Sequence, residues 1–488
     1  MLNILVKKNE YKQIVIAGTP LSKAKVSITE LQEQLDITKS TFNRYVANIN
    51  EELALLYSPT LKIISDGQHL ILENPNKIQP PNIFIKLLKH YINQSTGYKL
   101  LMVLSQINEV SSEHILEDLN VSHSYLNKVI RELNDFFEEL SIKIVQRNKM
   151  IRFEGPELNI ITLLISLRIS LWHYSADHNY INSDYTNFRI IDADLITPLN
   201  NLERMRLGHI EQVIFQRQEN LDFIRFKNED VRLSLQLLTQ YRDLTQPNEL
   251  LTENAILFIN YICRMLCPQL DSPDDRVALA KSFLQNPTEL SLDGLMLSTY
   301  IEKHILPYEE HDSEKYYQHI YQGMISFMSV HLLQHNFLDI LTLRTAAVHN
   351  FYIYNQPEFL KIRELFNQTI PFKQSENNAV FDQNREYFIS GTYTAFREYK
   401  EASIKVILDF KYRLTFDRYL KKRLRDTFSD KMIHFVKDSS EADIIISDSF
   451  IEVPENQASF VFVDTNSTFA MSELLKLLLQ LYTDRLKG

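Results

Sequence analysis

The sequence predicts a mainly α-helical, multidomain protein: a tandem winged helix-turn-helix first, two all-helical domains next, and a small α/β domain last. Three observations carry this. The chain has 488 residues, room for roughly three to five domains. It holds only 9 Gly and 15 Pro, so helix breakers are few, while 28 Phe and 24 Tyr argue against disorder. A plan of helix, turn, helix and hairpin occurs twice within the first 155 residues.

In the first copy, Ile28 to Leu35 reads as a short amphipathic helix, and Asp36-Ile37-Thr38 as a tight polar turn. A second helix, Lys39 to Ile49, follows, with Thr38 placed to cap it. Phe42, Tyr45, Val46 and Ile49 fall at helical spacing and form a buried stripe. That leaves Lys39, Ser40, Thr41, Asn43 and Arg44 on the outer face. The plan returns 84 residues later: Leu119-Asn120-Val121-Ser122 stands for Leu35 to Thr38, Leu126 for Phe42, and Asn127 for Asn43. Each copy continues into two short β-like runs, Leu61–Ile64 with Leu70–Leu72, and Ile142–Val145 with Met150–Phe153.

Beyond Pro156 the pattern becomes long and helical over about 157–270 and 290–395, divided by the breaker-rich Cys267-Pro268 to Pro273-Asp275. The end of the chain changes again. Short apolar runs at 403–410, 432–436, 443–447 and 460–463 alternate with a basic helix near Thr415 to Asp426 and an amphipathic helix near Ser472 to Leu486. Buried strands alternating with helices predict a parallel sheet. The expected domains are therefore 1–76, 77–158, 159–275, 276–395 and 400–488.

Composition excludes several classes. Gly-rich phosphate loops need several glycines close together, which 9 in 488 argues against. Cys263 and Cys267, the two cysteines, cannot make a disulfide framework or a Cys-rich zinc site; they read as buried core thiols. Low Cys usage and an N-terminus without a signal-peptide pattern predict a cytoplasmic protein. The longest apolar segment, Ile160 to Trp172, is interrupted by Arg168 and is too short to span a bilayer, so no membrane is expected.

Charge is informative once divided. The chain has 52 Lys+Arg and 62 Asp+Glu, a net of −10. Residues 1–155 hold 18 basic and 17 acidic side chains, leaving 34 and 45 beyond them. A nucleic-acid contact is therefore expected in the first third.

A helix-turn-helix presents the N-terminal part of its second helix to the major groove. The candidate readers are Lys39, Ser40, Thr41, Asn43 and Arg44 in the first unit. In the second they are His123, Ser124, Tyr125, Asn127, Lys128 and Arg131. Arg or Lys can bond guanine, Asn can bond adenine, and Ser or Thr can bond phosphates. Lys143, Arg147, Lys149 and Arg152 make the second wing the more basic, so the second unit is expected to bind more phosphate. Wing one carries Asp66, which phosphate repels.

The helical middle has no catalytic arrangement, and no enzyme activity, cofactor or metal site is expected. His331 and His335 have i,i+4 spacing, but no Glu follows His331 in the metalloprotease pattern and no third ligand is evident.

The doubled unit at Ser27–Ile49 and Ser111–Leu133, the helical middle and the α/β tail together resemble the Mga/AtxA group of virulence and metabolic transcription regulators of Gram-positive bacteria. In that family the middle is two PTS regulation domains (PRDs) and the tail resembles an EIIB component. The resemblance implies double-stranded DNA as partner, control of transcription by activation, and a homodimer formed through the C-terminal part. It also implies phosphotransfer to histidine from phosphocarrier proteins (HPr and EII components), with RNA polymerase as a further partner. Gly208-His209-Ile210 to Arg217 is similar to the PRD pattern, making His209 a phosphoacceptor candidate beside His331 and His335. A working EIIB carries a phosphorylated Cys after its first strand; here Asp409 to Arg413 has none, which implies an interaction module. Two rival readings are an RNA-binding antiterminator, which would lead with a β-rich domain, and a sugar phosphotransferase component, which would need the missing Cys.

Overall fold

The computed structural model describes residues 5–21, 27–171, 190–304 (bar 197, 227 and 250), 313–333, 357–367, five residues between 385 and 393, and 403–487 with short breaks at 411–415, 430–431, 450–452, 455–456 and 463–466. Met1–Ser390 forms one compact unit and Gly391–Gly488 another.

The first unit opens with α1 (Lys8–Leu21), α2 (Ile28–Leu35), α3 (Lys39–Leu56) and the antiparallel hairpin β1 (Lys62–Ser65) and β2 (Leu70–Glu73). After α4 (Pro80–Gln94) comes the second copy: α5 (Thr96–Leu104), β3 (Glu109–Ser111), α6 (Ser112–Asp118), α7 (His123–Phe137), β4 (Lys143–Arg147) and β5 (Met150–Glu154). The sequence period of 84 is realised atom by atom. The Ser27 and Ser111 hydroxyls cap α2 and α6, accepting from the N–H groups of Glu30 and His114. The Thr38 and Ser122 hydroxyls cap α3 and α7, accepting from Thr41 and Tyr125 at 3.3 and 3.2 Å. The intervening turns pass through left-handed Asp36 (φ 48°) and Asn120 (φ 49°), residue types that tolerate that conformation.

The buried stripes also pair: Leu31 with Ile115, Phe42 with Leu126, Tyr45 with Val129, Ile49 with Leu133, and Leu53 with Phe137. Each fully buried side chain of this size contributes about 1.5–3 kcal/mol, which drives both units. Val46, expected in the stripe, is only half-buried, and α3 continues to Leu56 where Ile49 was the expected end. Leu53 extends the stripe by one more turn, so the helix runs on.

Strand β3 was not legible in the sequence. It pairs with β5, Ser111 opposite Met150, to make a three-stranded sheet in the order β3-β5-β4. The first copy keeps only a single bridge there, Ser27 to His69. Gly155 closes the second hairpin at φ +155°, and a side chain on it would meet the Ser141 carbonyl at 2.6 Å.

A second pair of equivalent residues joins helix to wing. The Asn50 amide donates to the Ile63 carbonyl at 2.9 Å while its oxygen accepts the Ile63 N–H at 2.7 Å. Asn134 does the same to Ile144, at 2.9 and 2.6 Å. Each asparagine thereby imitates a paired strand and sets the wing against its helix. Asn134→Ala is expected to lower stability by about 1–3 kcal/mol, because both Ile144 backbone groups lose their partner. Hydrogen exchange at the Ile144 amide checks it, with lost protection confined to the β4–β5 wing.

The helical middle comprises α8 (Glu157–Leu171), α9 (Ala193–Ile196), α10 (Asn201–Gln216), α11 (Glu229–Tyr241), α12 (Glu253–Leu266), α13 (Pro273–Gln285), α14 (Glu289–His304), α15 (Ser313–Leu333) and α16 (Pro357–Asn367). The breaker-rich segment expected to separate two domains is here a packed node. After the short turn Pro268–Leu270, Asp271 is buried and accepts from Arg264 Nε at 3.0 Å, Arg242 Nη2 at 3.0 Å and the Tyr321 hydroxyl at 2.7 Å. Arg264 is itself fully enclosed and also donates to Asn260 and to the Arg242 carbonyl. Cys263 and Cys267 are both buried, as expected; burial pushes the Cys267 thiol up to about 12 and raises Cys263 as well. Among the described residues no helix is long and apolar enough to cross a membrane.

The second copy is braced against this middle. Arg217, the C-cap of α10, makes a bidentate pair with Glu157 at 2.6 Å on each arm and reaches Asn108 at 3.3 Å. Arg168 donates to the Ser105 carbonyl, Gln212 and Gln216. The arginine that interrupts the apolar run thus satisfies the end of α5.

The tail is an open parallel sheet of β6 (Ile404–Asp409), β7 (Ile433–Phe435), β8 (Ile444–Ser447) and β9 (Ala458–Val461) in the order β7-β6-β8-β9. Helices α17 (Phe416–Thr427) and α18 (Thr468–Lys487) complete it. Leu420, Leu424, Leu474 and Leu478 enter one core with Val406, Ile444 and Ile446. The Leu-rich closing helix therefore serves its own sheet first. Most of the loop expected to lack a catalytic Cys, from Lys411 on, lies outside the described residues.

Candidate nucleic-acid interface

Both second helices turn their expected reading face to solvent. In α3, Lys39, Ser40, Asn43 and Arg44 are exposed and Thr41 is half-buried, its hydroxyl engaged with Thr38 at 3.1 Å. The Arg44 guanidinium lies 5.8 Å from the Tyr45 ring centroid, which steadies it without neutralising it. In α7, His123, Ser124, Tyr125, Asn127, Lys128 and Arg131 are all exposed. Phe42 and Leu126 point the opposite way into the core, so the helix registers that bury the apolar stripes also present these polar residues.

The faces differ in how free their groups are. His123 and Asn127 share a hydrogen bond at 3.0 Å, one turn apart. Lys128 pairs with Glu132 at 3.7 Å, while Arg131 enters no ion pair among the described residues. Tyr125 stands at the rim of a polar cleft shared with Lys7, Glu10 and Thr96, at the flank of the expected reading face.

The second wing was expected to be the more basic. Its Lys143, Arg147 and Lys149 are exposed and Arg152 is half-buried, and three of these four cations have carboxylate partners. Arg147 pairs with Glu154 at 3.0 Å, Lys149 with Glu113 at 2.7 Å, and Arg152 with Glu154 and Glu109 at 2.9 and 3.5 Å. The Lys149 ammonium holds the Glu113 carboxyl below its ordinary range, and Glu113 raises Lys149 in return. Three glutamates on β3, α6 and β5 thus cancel most of the tally; counting basic residues missed them because two lie outside the wing. Lys143 remains without an ion pair among the described residues. In the first wing, Asp66 accepts the backbone N–H groups of His69 and Gln68, which lower its pKa, and Lys62 pairs with Glu73 at 3.2 Å.

The histidine candidates are placed unequally. His209 lies in the buried face of α10 with 5% exposure, out of reach of a phosphodonor while that helix stays packed. His331 is half-buried near the end of α15, stacked on Phe327 at 6.1 Å. It lines a small cleft with Arg225, Asn228 and Asn159. His335 lies outside the described residues. Among the described residues no group of three His, Cys, Asp or Glu side chains could hold a metal ion.

Asn50 and Asn134, which hold each wing against its helix, are positions that the sequence alone does not single out. Their shared 84-residue offset was the available signal, but an asparagine mid-helix is readily read as surface. Residues 84–167 match the family model described as the Mga helix-turn-helix domain, a span that takes in the whole second copy and none of α2, α3 or the first hairpin. No curated protein matches the chain.

Proposed function

From the premise that its helix-turn-helix domain at residues 84–167 makes this chain an Mga-family DNA-binding regulator, we propose that it controls transcription with two winged helix-turn-helix units. Both α3 and α7 enter the major groove, with Lys39, Ser40, Asn43 and Arg44 in one and Asn127, Lys128 and Arg131 in the other as readers. The observation that supports this most is the exposure of both polar faces on units built to one plan. The wings add phosphate contacts once duplex phosphate displaces the glutamates. The helical middle serves as two PRD-type modules and the tail as an EIIB-like module, in a homodimer that activates virulence or metabolic genes with RNA polymerase. A phosphocarrier protein supplies the switch, and His331, beside Arg225, is the better placed acceptor: a phosphoryl group adds negative charge that the guanidinium pairs.

The test is a gel-shift titration of the full chain against duplex DNA across salt concentrations; no salt-sensitive affinity would remove the reading. One variant tests the wing. Exposed ion pairs contribute about 0–1 kcal/mol each. Glu113→Gln with Glu154→Gln therefore leaves the fold intact and releases cations, and duplex affinity is expected to rise about two- to tenfold. Unchanged or weaker binding would show that the second wing faces away from the duplex.

A further inference from the structure

Helix α17 carries Arg418, Lys421, Lys422, Arg423 and Arg425 against Asp417 and Asp426. Its buried residues are Leu420 and Leu424. At about 100° per residue the opposite face is then centred on Lys422, with Arg418 and Arg425 beside it. Arg418, Lys422, Arg423 and Arg425 are exposed. Of these, Arg418, Lys422 and Arg423 enter no ion pair among the described residues. On the flank, Lys421 and Arg425 lie 4.8 and 5.8 Å from the Phe435 ring centroid, and Tyr419 is 50% exposed.

In the second wing three of the four cations have a carboxylate within reach; on α17, Arg418, Lys422 and Arg423 have none among the described residues. Cations one turn apart repel by a few tenths of a kcal/mol per pair, a cost that a polyanion relieves. From Arg418 to Arg425 the helix rises about 10 Å, over which one DNA strand presents about three phosphates along its axis. The arginine and lysine ends suit phosphate oxygens, and the Tyr419 hydroxyl is a further donor to them.

We propose that the outward face of α17 is a second contact for duplex DNA, gripping backbone phosphates without reading bases. This rests on the DNA-binding reading above. The full chain carrying Arg418→Ala with Lys422→Ala is titrated with duplex between about 50 and 200 mM salt, beside the unaltered protein. The slope of log affinity against log salt is expected to become shallower by about two, and affinity at the lowest salt to fall roughly tenfold or more. The charge-keeping swap Arg418→Lys with Lys422→Arg is expected to retain the slope. Equal slopes for the alanine variant and a duplex-binding unaltered protein overturn the proposal. So does a change in sedimentation mass at equal slope, which would make the face an interface between copies. If the unaltered protein itself binds no duplex, both this proposal and the transcription reading fall.

Discussion

Replacing Lys128 and Arg131 together by alanine is expected to weaken duplex binding roughly ten- to a hundredfold and to flatten its salt dependence by about two. Both side chains are exposed on α7, and neither supports the core, which is held by Leu126, Val129, Ile130 and Leu133. The loss therefore reports on contact with DNA. Among the described residues, of the two only Lys128 has an ion-pair partner, Glu132 at 3.7 Å, and an exposed pair of that kind yields readily to phosphate. The equivalent substitution of Lys39 and Arg44 gives the comparison that ranks the two units. A loss with either pair shows both reading; a loss with one assigns the other unit to support. Unchanged affinity in the first variant excludes α7 as a reader.

Asp271→Ala is expected to have the largest effect on stability, a loss of about 3–5 kcal/mol in the helical unit. Removing the carboxylate strands Arg264, fully enclosed, and takes a partner from Arg242 and Tyr321. An uncompensated buried guanidinium costs far more than the pair itself contributed. Thermal unfolding followed by circular dichroism should show the main transition at clearly lower temperature. Protection of amides in β6 and β8 of the tail should persist, since that sheet has its own core. A main transition within a degree or two of the unaltered protein would mean that Arg264 finds another acceptor.

The repeated units were legible because their signals are local and doubled. Caps at Thr38 and Ser122, turns at Asp36 and Asn120, and apolar stripes at helical spacing each recur at the same offset. The parallel tail was legible for a related reason: Ile444–Ser447 is buried throughout, and such a strand reads as a continuous apolar run. What escaped was the long-range part. Three-residue β3 is defined by its pairing with β5, forty residues on. The glutamates that match Lys149 and Arg152 come from other elements. The Pro- and Asp-rich segment at 267–275 has the composition of a linker, yet Asp271 is drawn inside by two arginines. Composition reports what a segment tolerates locally, and charge partners brought by the fold decide whether it is exposed.

The strut formed by Glu157, Arg217 and Asn108, with Arg168 hooked onto Ser105, has a mechanical consequence. Under the proposed reading, in which α7 enters the groove, guanidinium bonds of this kind would pass a displacement of α8 or α10 on to α7 as a change of angle. A signal arriving in the helical body would then act on the pitch at which the protein meets the duplex, leaving its local concentration near the DNA untouched.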